Sequence, residues 1–569
     1  MNPRYLSLRS LPCAAWLTLL ALAVLLSRLP LIQDPIDVSP DGSEYFGIAR
    51  HLARGEGYRS SIQWQFATLP PSPAPPPVEE GRNGRAAVVH DALPDRPPLW
   101  PALASLACRL DSRPAAQIWW VRALSALLAA LTIPVGWLLL RPLVPPAAAA
   151  AALTAFAFVG PFTRFSSQPL AETLFLLLIV AGLSIWVRVP GKPAGALRPL
   201  VLVPMLSGLA GVTFGLAYLT KPAGLALALV PFAAAWLPGN RPGYGARAAL
   251  ALAVGFLATA APWCVLLAIR YGSPTYSSLW INFSVLHISE AQHYGFERFF
   301  SPPAAFIREH LAEVASAILR QTGAMLVGLA EGLGPSLALL ALLRRRDLIA
   351  GRGLLAAVIA VNFLVHSLCW AVWGASRYML VGVLPGMALL LAAPLARHAE
   401  GWQPGRKVFA FSAALTLAYA VGGFGLVAAE KSRPDRGVPA AAIFRFGTVL
   451  AQEWTPPGAL IATNHPWLVN MLADRPAVIL PRTRDARRLA RFFARYRPRA
   501  VLLFVDEDPA RHPERLRDEP TESELAALLL PALPGARGPL LPTGWQVTRI
   551  AAGQRPGQWL IGLRARDKS

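Results

Sequence analysis

Charge is what this chain has least of. Of its 569 residues only 15% are Asp, Glu, Lys or Arg, while 54% are hydrophobic and the mean hydropathy is +0.43. Soluble domains carry about 25% charged residues, so an ordinary globular enzyme is excluded. Lysine is scarcer still: Lys192, Lys221, Lys407, Lys431 and Lys568 are the only ones, and the rest of the 54 basic residues are arginine. A net charge of +22 alone would fit a nucleic-acid binder, but the arginines are scattered between apolar runs, which is compositional bias and not a binding patch. Cysteine is limited to Cys13, Cys108, Cys264 and Cys369, all within apolar segments. Neither a disulfide framework nor a CxxC metal site can form in the C-terminal tail. No small-residue cleavage site follows the first apolar run at Ser27-Arg28-Leu29-Pro30, so that run reads as a retained span and not as a signal peptide.

Apolar sequence of membrane-spanning length is abundant. A span needs about 20 apolar residues, and the segments that qualify or nearly do lie near 12–31, 116–140, 145–161, 171–189, 200–219, 222–238, 246–269, 318–343, 351–371, 377–395 and 408–429. The expected fold is therefore an all-α polytopic membrane domain of about eleven helices, with Lys221-Pro222 marking a tight re-entry between two of them. Arginine and lysine in the short loops set the orientation. With Arg4 and Arg9 cytoplasmic, the inner loops carry Arg141, Arg188/Lys192/Arg198, Arg241/Arg247, Arg344-Arg345-Arg346/Arg352 and Arg397/Arg406/Lys407. The outer short loops carry little beyond Arg164, Lys221 and Arg377.

Two outer segments are large. Residues 32–115 form a first loop within a membrane domain 1–432, and residues 433–569 form a tail outside the membrane. In the loop, Pro70–Pro77 and Gly81–Arg85 read as a mobile insertion, and Leu99–Leu110 as a helix lying on the outer surface. In the tail, the apolar runs Ala459–Thr463 and Ala500–Val505 alternate with the arginine-rich stretch Asp485–Tyr496, the pattern of a small α/β domain. No 20–50-residue repeat is evident, which argues against a transporter built from repeats.

The first loop opens with Asp37-Val38-Ser39-Pro40-Asp41-Gly42-Ser43-Glu44-Tyr45 and runs on to Gly55-Glu56-Gly57-Tyr58. Ser39 or Asp41 can cap a helix whose first turn is acidic, and Asp41 and Tyr45 share one face. An acid held just beyond the first span can meet the head group of a lipid. The alternative is a capped surface helix with solvated acids.

This Asp-x-x-x-Tyr start followed by Gly-x-Gly-Tyr resembles the first outer loop of the C-type glycosyltransferases, with the protein O-mannosyltransferases and the aminoarabinose transferase of lipid A as nearest relatives. In the same order follow Arg96-Pro97-Pro98-Leu99-Trp100-Pro101, Glu172 at the start of a span, and Tyr218-Leu219-Thr220-Lys221-Pro222. Then come Arg270-Tyr271-Gly272-Ser273-Pro274 and Arg377-Tyr378 before Pro385. The resemblance covers residues 10–430 and leaves the tail unmatched.

It implies transfer of a sugar from a polyprenyl-phosphate donor to a hydroxyl of a lipid, glycan or protein on the outer face, with inversion at the anomeric carbon. The attacking hydroxyl must lose a proton, a task for a placed carboxylate. The family's catalytic Asp matches Asp41. Many relatives have Asp-Glu there, whereas Gly42 stands second here, so Glu44 is a candidate to compensate. Glu172 is expected to face Asp41 across the cavity, the rival reading being an ion pair with Arg164 or an interfacial helix start. A departing lipid phosphate needs cations, for which Lys221, Arg270 and Arg377, with Tyr378, are the candidates. Snorkelling to the interface is the rival for Lys221 and Arg270. Tyr45 and Arg96 are expected at the substrate cavity.

One metal-like pattern, His287-Ile288-Ser289-Glu290-Ala291-Gln292-His293, strains a single tetrahedral site, because on a helix residue 293 lies about 120° from residue 287. The expectation is a polar cavity wall and no cofactor, with a divalent metal as the alternative. A transporter or flippase of a lipid-linked sugar is the rival function. Neither reading involves nucleic acid, and both place the chain in the plasma (inner) membrane with its N-terminus in the cytoplasm.

Overall fold

The computed structural model describes residues 10–33, 38–63, 96–189, 198–236, 245–277, 303–334, 353–370, 375–399, 441–481, 486–506, 545–552 and 558–565, with short pieces between some of them. Its helices are α1 (Ser10–Arg28), α2 (Pro40–Ala53), α3 (Leu99–Cys108), α4 (Pro114–Leu140), α5 (Pro146–Ala157), α6 (Gly160–Phe165), α7 (Glu172–Trp186), α8 (Arg198–Tyr218) and α9 (Ala223–Trp236). They continue with α10 (Gly245–Tyr271), α11 (Pro303–Glu309), α12 (Leu311–Leu333), α13 (Gly353–Leu368), α14 (Ala375–Ala399), α15 (Ala441–Trp454), α16 (Pro466–Ala473) and α17 (Ala486–Tyr496).

The helices fall where apolar runs set them, and the chain is a multi-pass membrane protein. Among the described residues five helices are long and apolar enough to cross a membrane: Cys13–Ile32, Pro114–Leu140, Val201–Tyr218, Gly245–Tyr271 and Ala375–Ala392. Four more expected spans are shorter apolar helices, namely α5, α7, α9 and α13. The segment 145–161 breaks near Phe158, ahead of Gly160-Pro161, and resumes as α6. The segment 318–343 overlaps α12, which carries Glu313, Arg320 and Glu331 and so falls outside the apolar class. Most of 408–429 lies outside the described residues. The helices pair in the order the chain makes convenient, α1 with α4, α4 with α7, α7 with α8 and α8 with α10, while α14 returns against α5, α12 and α13. Between α8 and α10 the backbones nearly touch: a Cβ on Gly211 would lie 2.0 Å from the Leu252 carbonyl, and one on Gly255 2.1 Å from that of Gly208. Small residues permit this approach, which is how helices associate in lipid without a hydrophobic driving force. Large apolar side chains such as Leu19, Val201, Ile269 and Leu319 stay exposed on the outside of the bundle.

Outside it, α3 presents Trp100 and Ala104 inward and Leu106 outward, the one-sided burial expected of a surface helix. Of the expected insertion, β3 (Glu80–Gly81) pairs antiparallel with β4 (Arg85–Ala86), and residues 82–84 and Pro70–Pro77 lie outside the described residues. The tail strands β6 (Ile461–Thr463), β7 (Ala477–Ile479), β8 (Ala500–Asp506), β9 (Trp545–Ala552) and β10 (Gln558–Ala565) form a sheet of order β2-β7-β6-β8-β10-β9. Its edge strand β2 (Ile62–Gln63) comes from the first loop and pairs in parallel with β7. The sheet is thus shared between loop and tail. A second link is a grip on α2: the buried Arg50 donates to the Asn470 carbonyl at 3.0 Å and pairs with Asp474 at 3.1 Å, and Arg54 pairs with the same carboxylate.

Candidate active site

The N-terminal turn of α2 is set by Ser39, whose Oγ accepts the Gly42 N–H at 3.2 Å, while its own N–H donates to Gln168 Oε1 at 3.2 Å. Because Ser39 does the capping, the Asp41 carboxylate is left free to meet Arg96 and Arg377. Gly42 packs hard against the segment before α7, since a Cβ there would meet Pro169 Cγ at 3.0 Å. That contact leaves little room for a side chain at this position.

Arg96 reaches Asp41 from the far end of the loop. The Gly55-Glu56-Gly57-Tyr58 turn, with φ of +74° at Gly55 and +86° at Gly57, aims the Tyr58 hydroxyl at the carbonyls of Arg96 (2.9 Å) and Pro97 (3.1 Å). Leu99 N–H then donates to the Leu219 carbonyl at 3.0 Å, and Trp100 Nε1 to the Pro169 carbonyl at 3.0 Å. The Arg-Pro-Pro-Leu-Trp-Pro run thereby ties three pieces together: the first loop, the turn before Lys221 and the approach to Glu172. Two buried arginines brace that approach from below, Arg28 by donating to Ser166 Oγ (3.1 Å) and Arg122 by donating to the Ser167 carbonyl (2.6 Å).

The result is a continuous chain of alternating charge. Arg96 donates to Glu44 Oε2 through Nε (2.8 Å) and Nη2 (2.6 Å), and to Asp41 Oδ1 at 2.7 Å. Arg377, in the first turn of α14, donates to Asp41 Oδ2 at 2.7 Å and lies 3.3 Å from Glu172 Oε1. Lys221, in the tight turn between α8 and α9, donates to the same Glu172 oxygen at 2.8 Å. Aromatic faces line the cations: Arg96 stands over Tyr45 at 5.1 Å, and Lys221 (4.5 Å) and Arg377 (4.7 Å) both stand over Tyr378. The Arg377 guanidinium also donates to the Tyr378 hydroxyl. Burial pushes the Asp41 carboxyl up, but the charges of Arg96 and then Arg377, with their hydrogen bonds, outweigh it and hold the group well below the usual carboxylate range. Burial likewise pulls against the Arg96 charge, and Glu44 and Asp41 overcome it, so Arg96 stays firmly cationic.

Eight of the nine residues singled out from the sequence therefore meet in one place: Asp41, Glu44, Tyr45, Arg96, Glu172, Lys221, Arg377 and Tyr378. Arg270 stands in the last turn of α10 and takes no part in the ion pairs above. Glu172 pairs with Lys221 and Arg377. Beside the cluster is a narrow cleft of about 10 Å³, lined among others by Glu172, Lys221, His366, Arg377 and Tyr378. His366 and its partner Asn362 were missed in the sequence, although two polar residues one turn apart in an apolar helix are a signal in their own right. The pattern from His287 to His293 lies outside the described residues, and among the described residues no group of three or more His, Cys, Asp or Glu side chains is placed to hold a metal.

No protein-family model matches the chain, and no curated protein matches it by sequence. Solved structures do. The chain is similar to ArnT, the lipid A aminoarabinose transferase of Cupriavidus metallidurans, bound to undecaprenyl phosphate, with 13% identity over 96% of this chain and 98% of that one and a TM-score of 0.51. It is also similar to the archaeal oligosaccharyltransferase AglB from Archaeoglobus fulgidus in complex with an inhibitory peptide and a dolichol-phosphate, with 15% identity over 86% and 69% of the two chains and a TM-score of 0.50. The same archaeal enzyme tethered to an acceptor peptide matches at 13% identity, 85% and 68% coverage and a TM-score of 0.51. All three are C-type glycosyltransferases, and theirs is the fold this chain adopts.

Proposed function

We propose that this protein is an integral-membrane glycosyltransferase that moves a sugar from a polyprenyl-phosphate donor to a hydroxyl of a lipid, glycan or protein acceptor, with inversion at the anomeric carbon. One observation carries the reading. Three acids and three cations drawn from α2, the loop before α3, α7, the α8–α9 turn and α14 form one connected cluster, in a fold otherwise described with lipid phosphates bound. In this reading Asp41 is the base. The acceptor O–H gives its proton to an Asp41 carboxylate oxygen as the acceptor oxygen bonds to the anomeric carbon. The bond from that carbon to the phosphate oxygen breaks, and the electron pair leaves on the polyprenyl phosphate. Lys221 and Arg377, with Tyr378, hold the phosphate and take up the charge it gains; Arg270 is proposed to assist from the outer end of α10. Fixed cations suffice for this departure, so no cofactor is required by the mechanism. Glu172 steadies positive charge developing on the sugar ring, and Tyr45 and Arg96 line the acceptor side.

The charge balance of the cluster links donor to base. With no donor, each cation already has an acid. A phosphate that draws Lys221 and Arg377 to itself leaves Asp41 with Arg96 alone, and a carboxylate relieved of one cation binds a proton more readily. Donor arrival thus prepares the base for the acceptor. The cluster is assigned to the outer face of the plasma membrane by the arginine count of the loops, which also puts the N-terminus in the cytoplasm and an α/β domain at 433–569 outside. The test is transfer of labelled sugar from a polyprenyl phosphate by the purified protein in liposomes. Binding of the donor with transport but no transfer to any lipid, glycan or peptide acceptor would favour the flippase instead.

A further inference from the structure

The cleft beside the ion pairs is lined by polar atoms whose hydrogen-bonding capacity is not filled among the described residues, the donor Arg377 Nε and two acceptors. Glu172 is 4% exposed; its Oε1 accepts from Lys221 and lies 3.3 Å from Arg377 Nε, while among the described residues its Oε2 is buried with no partner. An unmet buried carboxylate oxygen is costly, so a donor from outside the protein, a water or a ligand hydroxyl, is favoured there. His366 supplies the second acceptor. It is 6% exposed, one turn after Asn362 on α13, and its Nδ1 lies 2.8 Å from the Asn362 carbonyl. A carbonyl only accepts, so the proton sits on Nδ1 and the neutral ring presents Nε2 as a lone pair. Among the described residues nothing donates to that nitrogen. The ring cannot turn away, because it stacks on Tyr378 with centroids 5.0 Å apart and planes at 29°. Asn362 is fixed in turn by donating to the Tyr378 carbonyl at 3.0 Å.

Two acceptors therefore line the same cleft as the two cations of the phosphate site. A phosphate oxygen offers no hydrogen to either. A hydroxyl does, and the hydroxyl-bearing group covalently closest to a lipid phosphate is its sugar. We propose that His366, oriented by Asn362 and Tyr378, is a specificity-determining residue that accepts a hydrogen bond through Nε2 from a hydroxyl of the donor sugar, with Glu172 Oε2 accepting from a second. This inference rests on the donor class proposed above.

The experiment separates the sugar from the lipid phosphate that carries it. Binding of bare undecaprenyl phosphate and of a panel of undecaprenyl-phosphate hexoses and pentoses is measured for the wild type, His366→Phe, His366→Gln and Lys221→Ala. The sugar with the largest gain over the bare lipid in the wild type serves as the probe. His366→Phe should leave bare lipid binding within about twofold and lose about five- to tenfold on the sugar-bearing lipid, the range of one hydrogen bond. His366→Gln, whose amide oxygen reaches the place of Nε2, should recover part of that loss. Lys221→Ala should weaken both ligands alike. Equal losses on both ligands in His366→Phe, with no recovery in His366→Gln, would mean a packing role and overturn the proposal. So would a wild type that binds no sugar-bearing lipid better than the bare one. If the wild type binds neither, the donor class itself is wrong, an outcome distinct from the other two.

Discussion

Arg377 holds the Asp41 and Glu172 carboxylates and the Tyr378 hydroxyl at once, so no residue of the cluster acts alone. Asp41→Asn keeps the size of the side chain and removes the proposed base, and it is expected to lower turnover about 10²–10⁴-fold while leaving donor affinity nearly intact. Full transfer activity in that variant would remove Asp41 from the mechanism. Glu44→Gln loosens the hold on Arg96 and is expected to cost much less. Asp41 also gives a pH signature. Its folded-state pKa lies below the unfolded one, so its contribution to stability is present above the unfolded value, near pH 4, and is lost as pH falls below it. The difference in Tm between wild type and Asp41→Asn should hold constant from neutral pH down to about pH 5 and shrink below about pH 4. A difference that grows on acidification would contradict the pairing. For the donor, Lys221→Ala should weaken polyprenyl-phosphate binding about ten- to over a hundredfold, the worth of a charge-assisted bond. Lys407→Ala, on the inner side, should leave it unchanged.

At the scale of elements, α2 is held at both ends. Its first turn meets Arg96, Arg377 and Pro169, and its last turn is gripped from the tail through Arg50 and Arg54. The two arginines share Asp474 but differ in burial: the Arg50 side chain is 2% exposed and that of Arg54 38%. Arg50 also satisfies the carbonyls at the end of α16, donating to Asn470 and Met471. Arg54→Ala is therefore expected to cost no more than about 1 kcal/mol, and Arg50→Ala distinctly more, because it leaves two carbonyls unmet and the carboxylate with Arg54 alone. Thermal unfolding of the purified variants checks the order, and equal losses would show that the grip is only a surface contact. The elements themselves were largely legible. Apolar runs predicted α1, α4, α8 and α10 closely, since a long helix in lipid follows from local hydropathy alone. The short strand β2 was not, because two residues carry no period, and only the edge of the tail sheet makes Ile62–Gln63 a strand.

At the scale of the molecule, the helix reversals bring the start of α2, the start of α7, the α8–α9 turn and the start of α14 to one end of the bundle. We propose that this end faces the outside, on the arginine count of the loops. A reporter fused after Glu430 should read outside and one fused near Arg345 inside; the same side for both would break the topology and with it the shared cavity. Fold similarity at 13–15% identity fits this view. The architecture survives where little sequence does, because bundle packing asks only for apolar surface and small residues at close contacts.

The sequence by itself determined the membrane class and singled out Asp41, Glu172, Lys221 and Arg377, which the structure brings together. Hydropathy and loop charge are local properties, written in windows of about 20 residues. Tertiary structure decided the rest. Arg96 and Arg377 reach the same carboxylate from 55 and 336 residues away, a convergence no local pattern encodes. Likewise Pro169 closes on Gly42, the tail grips α2, and His366 turns a lone pair into the cleft. These depend on which helix ends meet, and that is settled by packing and by the need to pair every buried charge.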